Sequence, residues 1–293
     1  MATTTDTNSW DRSRDHSNLE IFDIQTGRRQ LLAHFDYLIE APNWTRDGRA
    51  LIYNSEGRMY RFDLDTHASQ VIDTGFATHC NNDHVLSADG RFLAISHQDP
   101  GSRIYTLPLT GGTPRLITPL SPSYLHGWSP DGASFCYCAG RGQAAQNGDF
   151  DIFISDGQSE KQLTFSAGLN DGPEYSPDGA HIWFNSVRTG LMQIWRMRSD
   201  GSDQEQITFD EEFNSWFPHV SPNGRFVVFL SYHTGDTLPH EHLPHRHVVL
   251  RLLDITTGQI QTLCSVFGGQ GTLNVNSWAP DSRYFAFVSY IVH

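Results

Sequence analysis

A Ser-Pro-Asp-Gly-like turn, repeated six times, constrains this chain more than any other feature. It occurs as Thr45-Arg46-Asp47-Gly48, Ser87-Ala88-Asp89-Gly90, Ser129-Pro130-Asp131-Gly132, Ser176-Pro177-Asp178-Gly179, Ser221-Pro222-Asn223-Gly224 and Ala279-Pro280-Asp281-Ser282. Successive third turn residues (47, 89, 131, 178, 223 and 281) lie 42, 42, 47, 45 and 58 residues apart. One unit shows what fills the interval. Between Gly172 and Thr208, runs at 174–176, 181–186, 193–198 and 204–208 are rich in aromatic and β-branched residues. Such residues suit a pleated strand. The runs are split by Pro177-Asp178-Gly179, Arg188-Thr189-Gly190 and Ser199-Asp200-Gly201, which supply the positive φ and local side-chain bonds of tight turns. Four strands per period of about 40–50 residues predict a β-propeller. The expectation is an all-β chain of six four-stranded antiparallel blades. The last copy reaches His293 after two strands, so the N-terminal runs at 19–23 and 29–33 are expected to complete it and remove a free sheet edge. That makes one domain over 18–293, preceded by a flexible arm over 1–17.

The units Ile104–Thr118 (IYTLPLTGGTPRLIT) and Ile194–Thr208 (IWRMRSDGSDQEQIT) resemble the propeller repeats of TolB, the periplasmic protein of the Tol system. The resemblance runs from about Leu19 to Tyr290. It implies the propeller fold and a face that holds a protein or peptide partner. The net charge of −13 argues against nucleic acid and anionic membrane as partners, since both favour basic patches. No apolar run approaches a membrane-spanning length. Met1–Ser17 has no apolar stretch for a signal peptide, so a cytoplasmic location is expected. Cys136 and Cys138, two apart on a strand, should face opposite ways and stay unpaired. All four cysteines are expected as reduced thiols.

Strand direction sorts the loops by face. The innermost strand of each blade runs into the repeated turn, so the segments that lead into it share the other face with the loops between strands two and three. His, Asn, Asp and Glu gather in those lead-in segments. The two long second loops, 139–149 and 232–247, fall on the same face. Long loops on one face of a regular scaffold usually carry function.

The candidate residues follow. His126, Glu174 and His219 occupy lead-in positions equivalent to within one residue in blades three, four and five, and His233 lies just after strand two of blade five. Together they could hold a divalent cation (manganese, calcium or zinc) on the axis. The alternative is a set of hydrogen-bonded polar groups lining a watery channel. Tyr124 and Trp216 could stack on a sugar ring while Asn82, Asn170, Gln270, Asn274, Asn276 and Glu40 bond its hydroxyls. Asp171 stands with His126, His219 and Glu174 as a candidate for proton transfer, and Arg188 as an anion clamp. In the loop HEHLPHRH, His240, His242, His245 and His247 match no structural zinc spacing; one or two could reach the pocket. There is neither a phosphate loop nor a Gly-x-Ser-x-Gly elbow.

The segment Pro218-His219-Val220-Ser221-Pro222-Asn223-Gly224 is similar to the His-then-turn element of the oligogalacturonate lyases. Those seven-bladed cytoplasmic propellers cleave uronate oligosaccharides by β-elimination with manganese. Two functional expectations stand. One is a carbohydrate-active lyase or hydrolase acting on a small sugar or oligosaccharide with a metal at the propeller mouth. The other is a non-enzymatic propeller that binds a protein or peptide.

Overall fold

The computed structural model describes residues 15–165 and 168–292. Five blades are complete four-stranded antiparallel sheets in sequence order. Their innermost strands are Glu40–Trp44, Cys80–Leu86, Ser123–Trp128, Asn170–Tyr175 and Phe213–Val220. The sixth sheet is ordered Arg28–Phe35, Asp15–Asp23, Tyr284–Val292, so both ends of the described chain share one blade. Its innermost position holds only a bridge between Trp278 and Phe285.

The N-terminal strand begins at Asp15, earlier than the expected Leu19. An arm over 1–17 is therefore too long at its end, and residues 1–14 lie outside the described residues. Polar residues 15–18 give no apolar periodicity, so the sequence hides this extension. Pairing with 289–292 across the ring closure orders it. So does a buried hydrogen bond between His245 Nε2 and Asp15 Oδ2 at 2.8 Å.

Apolar residues pack between neighbouring blades. Trp183, Phe184, Phe229, Phe285 and Phe287 are buried there, whereas Trp195 and Phe226 are only half-buried. The repeated turns are nearly identical. The hydroxyls of Thr45, Ser87, Ser129, Ser176 and Ser221 each donate to the third residue's side-chain oxygen at 2.6–2.7 Å. Each turn glycine lies at φ 70–75°, where a Cβ is costly.

At the opposite end, all five complete blades break register in the innermost strand. The shifts fall between 40 and 43, 80 and 84, 125 and 127, 171 and 174, and 216 and 219. Extra residues in one strand bend it and re-aim its side chains. Ala41, Gly172 and Phe217, at matching repeat positions six residues before the third turn residue, have φ of 57°, 59° and 54°. Amides freed by the bulges find partners on the neighbouring blade: Leu125 N donates to Ser96 Oγ at 2.8 Å and Phe217 N to Asn185 Oδ1 at 3.0 Å.

Candidate functional site

The bulges surround a cavity of about 750 Å³ at the propeller mouth. Blade two contributes Asn81, Asn82, Asp83 and Gln98, and blade three Tyr124, His126 and Cys138. The long loop of blade three, which carries a short helix at Gly142–Gln146, adds Asn147, Asp149 and Phe150. Asp171 comes from blade four, His240 and His242 from the long loop of blade five, and Gln270 from the blade-six lead-in. The face expected from topology is the face that holds the cavity.

Its floor is a buried charge cluster. His126 Nε2 lies 3.1 Å from Asp171 Oδ1, and Gly172 N donates to the same oxygen at 2.8 Å. His242 Nε2 sits 3.9 Å from Asp171 Oδ2, its ring edge-on to Trp216. Phe217 packs between the two histidines, stacked on His126 at 5.8 Å and against His242 at 5.7 Å. Across the cavity, Asp83 Oδ1 accepts from Asn274 Nδ2 at 2.7 Å, and its other oxygen accepts from Asn81 Nδ2. Asn274 also donates to Asn82 Oδ1 at 3.3 Å and accepts from Gln270 Nε2 at 3.2 Å, tying blade six to blade two.

The electrostatics separate the carboxylates. Burial pushes the Asp83 carboxyl up. Burial pushes Asp171 the same way, but the charge and hydrogen bond of His126, with His242 beyond, win and bring it down to about 2. His126 is the reciprocal case. Burial opposes its protonation, and the surrounding carboxylates of Asp83, Asp171 and Glu174 outweigh that and raise it. Burial also drives the Cys138 thiol well up, with Asp171 and Asp83 beside it, so it stays protonated.

The proposed axial metal set is not assembled. His219 and Glu174 pair with each other, His219 Nδ1 to Oε2 at 2.7 Å. The second nitrogen of His219 faces Leu273 O at 3.3 Å, and Glu174 Oε1 accepts from Val220 N at 3.0 Å and Asn276 Nδ2 at 2.6 Å. Every donor atom of that pair is in use. Glu174 instead lines a second cavity of about 230 Å³ on the repeated-turn side, among Arg46, Trp44, Trp128 and Trp278. His126 lines both cavities and divides them. The physical reason is register. His126 stands five residues before its third turn residue, while Glu174 and His219 stand four before theirs. One residue on a strand reverses the side chain. His233 is exposed at the strand end, its ring 4.6 Å from that of Phe213, away from the others. Among the described residues, the group of three or more His, Cys, Asp or Glu with ligand atoms mutually within 4.8 Å is His16, His34 and Asp36, at the ring-closing blade. The mouth residues therefore do not fit the manganese site that the lyase resemblance implied.

Other expected residues are structural. Arg188 is held by Ser186 Oγ, Gln204 Oε1 and Asn170 Oδ1 and stacks on Trp195 at 4.6 Å, so it clamps no ligand in the cavity. Asn170 donates to Phe150 O and Asp151 Oδ1 while accepting from Ser186 and Arg188. Trp216 is fully buried behind His242, its Nε1 unpartnered among the described residues. Glu40 lies against Tyr290 at 3.4 Å. Asn276 sits with Glu174 on the far side. Tyr124, His126, Asp171, Asn82 and Gln270 are brought together at the mouth, with Asn274 behind them. Asp83, Gln98, Asn147 and Asp149 are additional lining residues. Asp83 was detectable in the polar run HCNNDH, where it occupies the same repeat position as Gly172 and Phe217.

Comparison with known proteins agrees with this architecture. The family profile described as TolB beta propeller domain matches residues 128–291. Uncharacterized protein Atu1656 of Agrobacterium fabrum is 50% identical over 94% of this chain and 92% of its own length. A solved TolB-type structure from Agrobacterium tumefaciens superposes with a TM-score of 0.89 at 48% identity, covering 95% of this chain and 99% of that one. The Tol-Pal system protein TolB of Francisella tularensis is 28% identical over 70% of this chain, which spans about half (48%) of that relative's length. An oligogalacturonate lyase solved with manganese shares the fold at a TM-score of 0.54 and 15% identity, over 78% of this chain and 66% of that one.

Proposed function

The chain belongs to the TolB β-propeller domain family, and on that premise we propose that its mouth cavity binds and acts on a neutral, hydroxyl-rich ligand, a small sugar or oligosaccharide. The observation that carries this reading is the cavity lining. It presents the amides of Asn81, Asn82, Gln98, Asn147 and Gln270 and the rings of Tyr124 and Phe150, with no Arg or Lys among its described residues. Amides bond hydroxyls in both directions, and rings cover the apolar sugar face. A uronate would bring its carboxylate beside Asp149 and Asp171, with no guanidinium to meet it and only the histidines His126, His240 and His242 to offset the charge. That disfavours lyase chemistry on acidic sugars.

The same cavity has the parts for proton transfer. Two carboxylates whose environments push them apart divide naturally into acid and base. Asp83, whose carboxyl is raised by burial, is the candidate acid for a leaving oxygen. Asp171, kept ionised by His126, is placed to take a proton from water. The reading is a glycoside hydrolysis that needs no metal donor set at the mouth.

The test uses saturation-transfer NMR on the full chain with neutral oligosaccharides and, separately, oligogalacturonates. Neutral ligands should bind, and Asp171→Asn should keep binding while losing about 10²–10⁴-fold in turnover. Preferential binding of the uronates, or of neither class, overturns it. A second reading, a protein partner, draws on one observation. Phe165 and Phe209, at equivalent blade connections, are 78% and 74% exposed. The relative from Francisella is by name a Tol-Pal system protein. A pull-down abolished by Phe165→Ser/Phe209→Ser with sugar binding intact would favour that reading.

A further inference from the structure

We propose that His16, His34 and Asp36 form a binding site for a zinc-class divalent cation on the ring-closing blade, remote from the mouth. The placement follows from strand register. Asn18 pairs with His34 and Ser17 with Phe35, and one residue past the end of that ladder His16 and Asp36 come together. Side chains alternate along a strand, which puts residues 16, 18, 34 and 36 on one face. The ligand atoms of the two histidines and the aspartate lie within 4.8 Å of one another. His34 Nε2 is 3.4 Å from Asp36 Oδ1, and His16 Nδ1 is 3.7 Å from the same oxygen. Ligands about 2.1 Å from a tetrahedral zinc stand about 3.4 Å from each other, so the spacing suits a shared ion.

The hydrogen bonding points the same way. His34 Nδ1 lies 3.1 Å from Asn18 Oδ1, and a proton donated there leaves Nε2 as a lone pair aimed at a carboxylate oxygen. Two acceptors that face each other are reconciled by a proton or by a metal ion between them. A histidine that donates its remote N–H to a neighbouring oxygen while offering its other nitrogen is the usual outer support of a metal ligand. Two nitrogens and one oxygen suit zinc or a neighbouring transition metal better than calcium or magnesium. Asp36 is 84% and His34 43% exposed, so an ion can enter from solvent and complete its shell with water. The ion would cross-link Asp15–Asp23, the strand that closes the ring, to its outer neighbour Arg28–Phe35.

The experiment titrates zinc chloride into the untagged full chain at pH 7.5 by calorimetry and follows thermal unfolding with and without zinc. One zinc should bind and raise the Tm. His34→Ala and Asp36→Ala should each abolish both effects while leaving the metal-free Tm unchanged. Asn18→Ala should weaken affinity about 10–100-fold. His240→Ala/His242→Ala should bind zinc as the wild type does. No zinc uptake by the wild type would leave only a His34–Asp36 proton bridge and overturn the site. Uptake that survives His34→Ala, or that is lost in His240→Ala/His242→Ala instead, would overturn it equally.

Discussion

The two ends of this propeller are made by the same strands and differ in almost everything else. At the repeated-turn end, each hydroxyl bonds the side chain two residues on and accepts the amide five residues on, as Ser129 does with Asp131 at 2.6 Å and Ser134 N at 2.8 Å. The turns close on themselves. At the mouth end, every complete blade bulges, Phe217 holds a backbone conformation that favours glycine, and His126 and Asp171 are buried charges. The Nδ1 of His126 and the Nε1 of Trp216 have no partner among the described residues. Departure from the repeat therefore coincides with backbone bulges, left-handed strain at a non-glycine residue and a cluster of interacting titratable groups. That combination is tolerated where a ligand or a reaction uses it.

The largest effect should separate the ends outright. His126→Leu leaves the buried, ionised Asp171 without its partner and should cost about 3–5 kcal/mol. Ser129→Ala removes one turn hydroxyl and should cost about 1 kcal/mol. Denaturant unfolding of both variants measures the gap, and equal losses would break the distinction.

Glycines give a smaller and cleaner contrast. A Cβ at Gly172 would lie 2.6 Å from Asn185 Oδ1 and 3.0 Å from Phe217 Cδ1, whereas one at Gly224 meets nothing within 4 Å. Gly172→Ala should cost about 3 kcal/mol from crowding and left-handed strain together, and Gly224→Ala about 1 kcal/mol from strain alone. Thermal unfolding orders the two.

The smallest effect sharpens the comparison through pH. Asp47, Asp131 and Asp178 are lowered first by their turn hydroxyls, and Asp89, by Ser87, to about 2. Their stabilisation is complete above the ordinary aspartate range and fades as pH falls from about 4 toward 2. His126 carries the opposite sign. Its raised value means stabilisation present below the ordinary histidine range and lost as pH rises through the folded value. His126→Gln should flatten the alkaline limb of the Tm–pH curve, and Asp131→Asn the acid limb. An unchanged alkaline limb in His126→Gln would refute the buried imidazolium.

Much of the fold could be read directly. Blade number, ring closure by both chain ends and the face that holds the mouth cavity follow from turn spacing and strand direction. The site was legible in part. Tyr124, His126 and Asp171 line the cavity as expected, because lead-in segments end at the mouth. His233 and Arg188 were misplaced because sequence distance to a strand end does not say which way a side chain turns. The set of His126, Glu174 and His219 failed because an offset of one residue, trivial in an alignment, reverses direction on a strand.

The sequence alone determined the repeat, because a turn chemistry of Ser, Asp and Gly is local and the bonds that shape each copy lie within it. Tertiary structure decided the site. The bulge that aims His126 into the cavity rests on Ser96 of the adjoining blade, and the one that sets Phe217 against His126 rests on Asn185. The buried charges settle only where carboxylates from blades two and four meet a histidine from blade three. Those contacts span many tens of residues, and no local pattern encodes them.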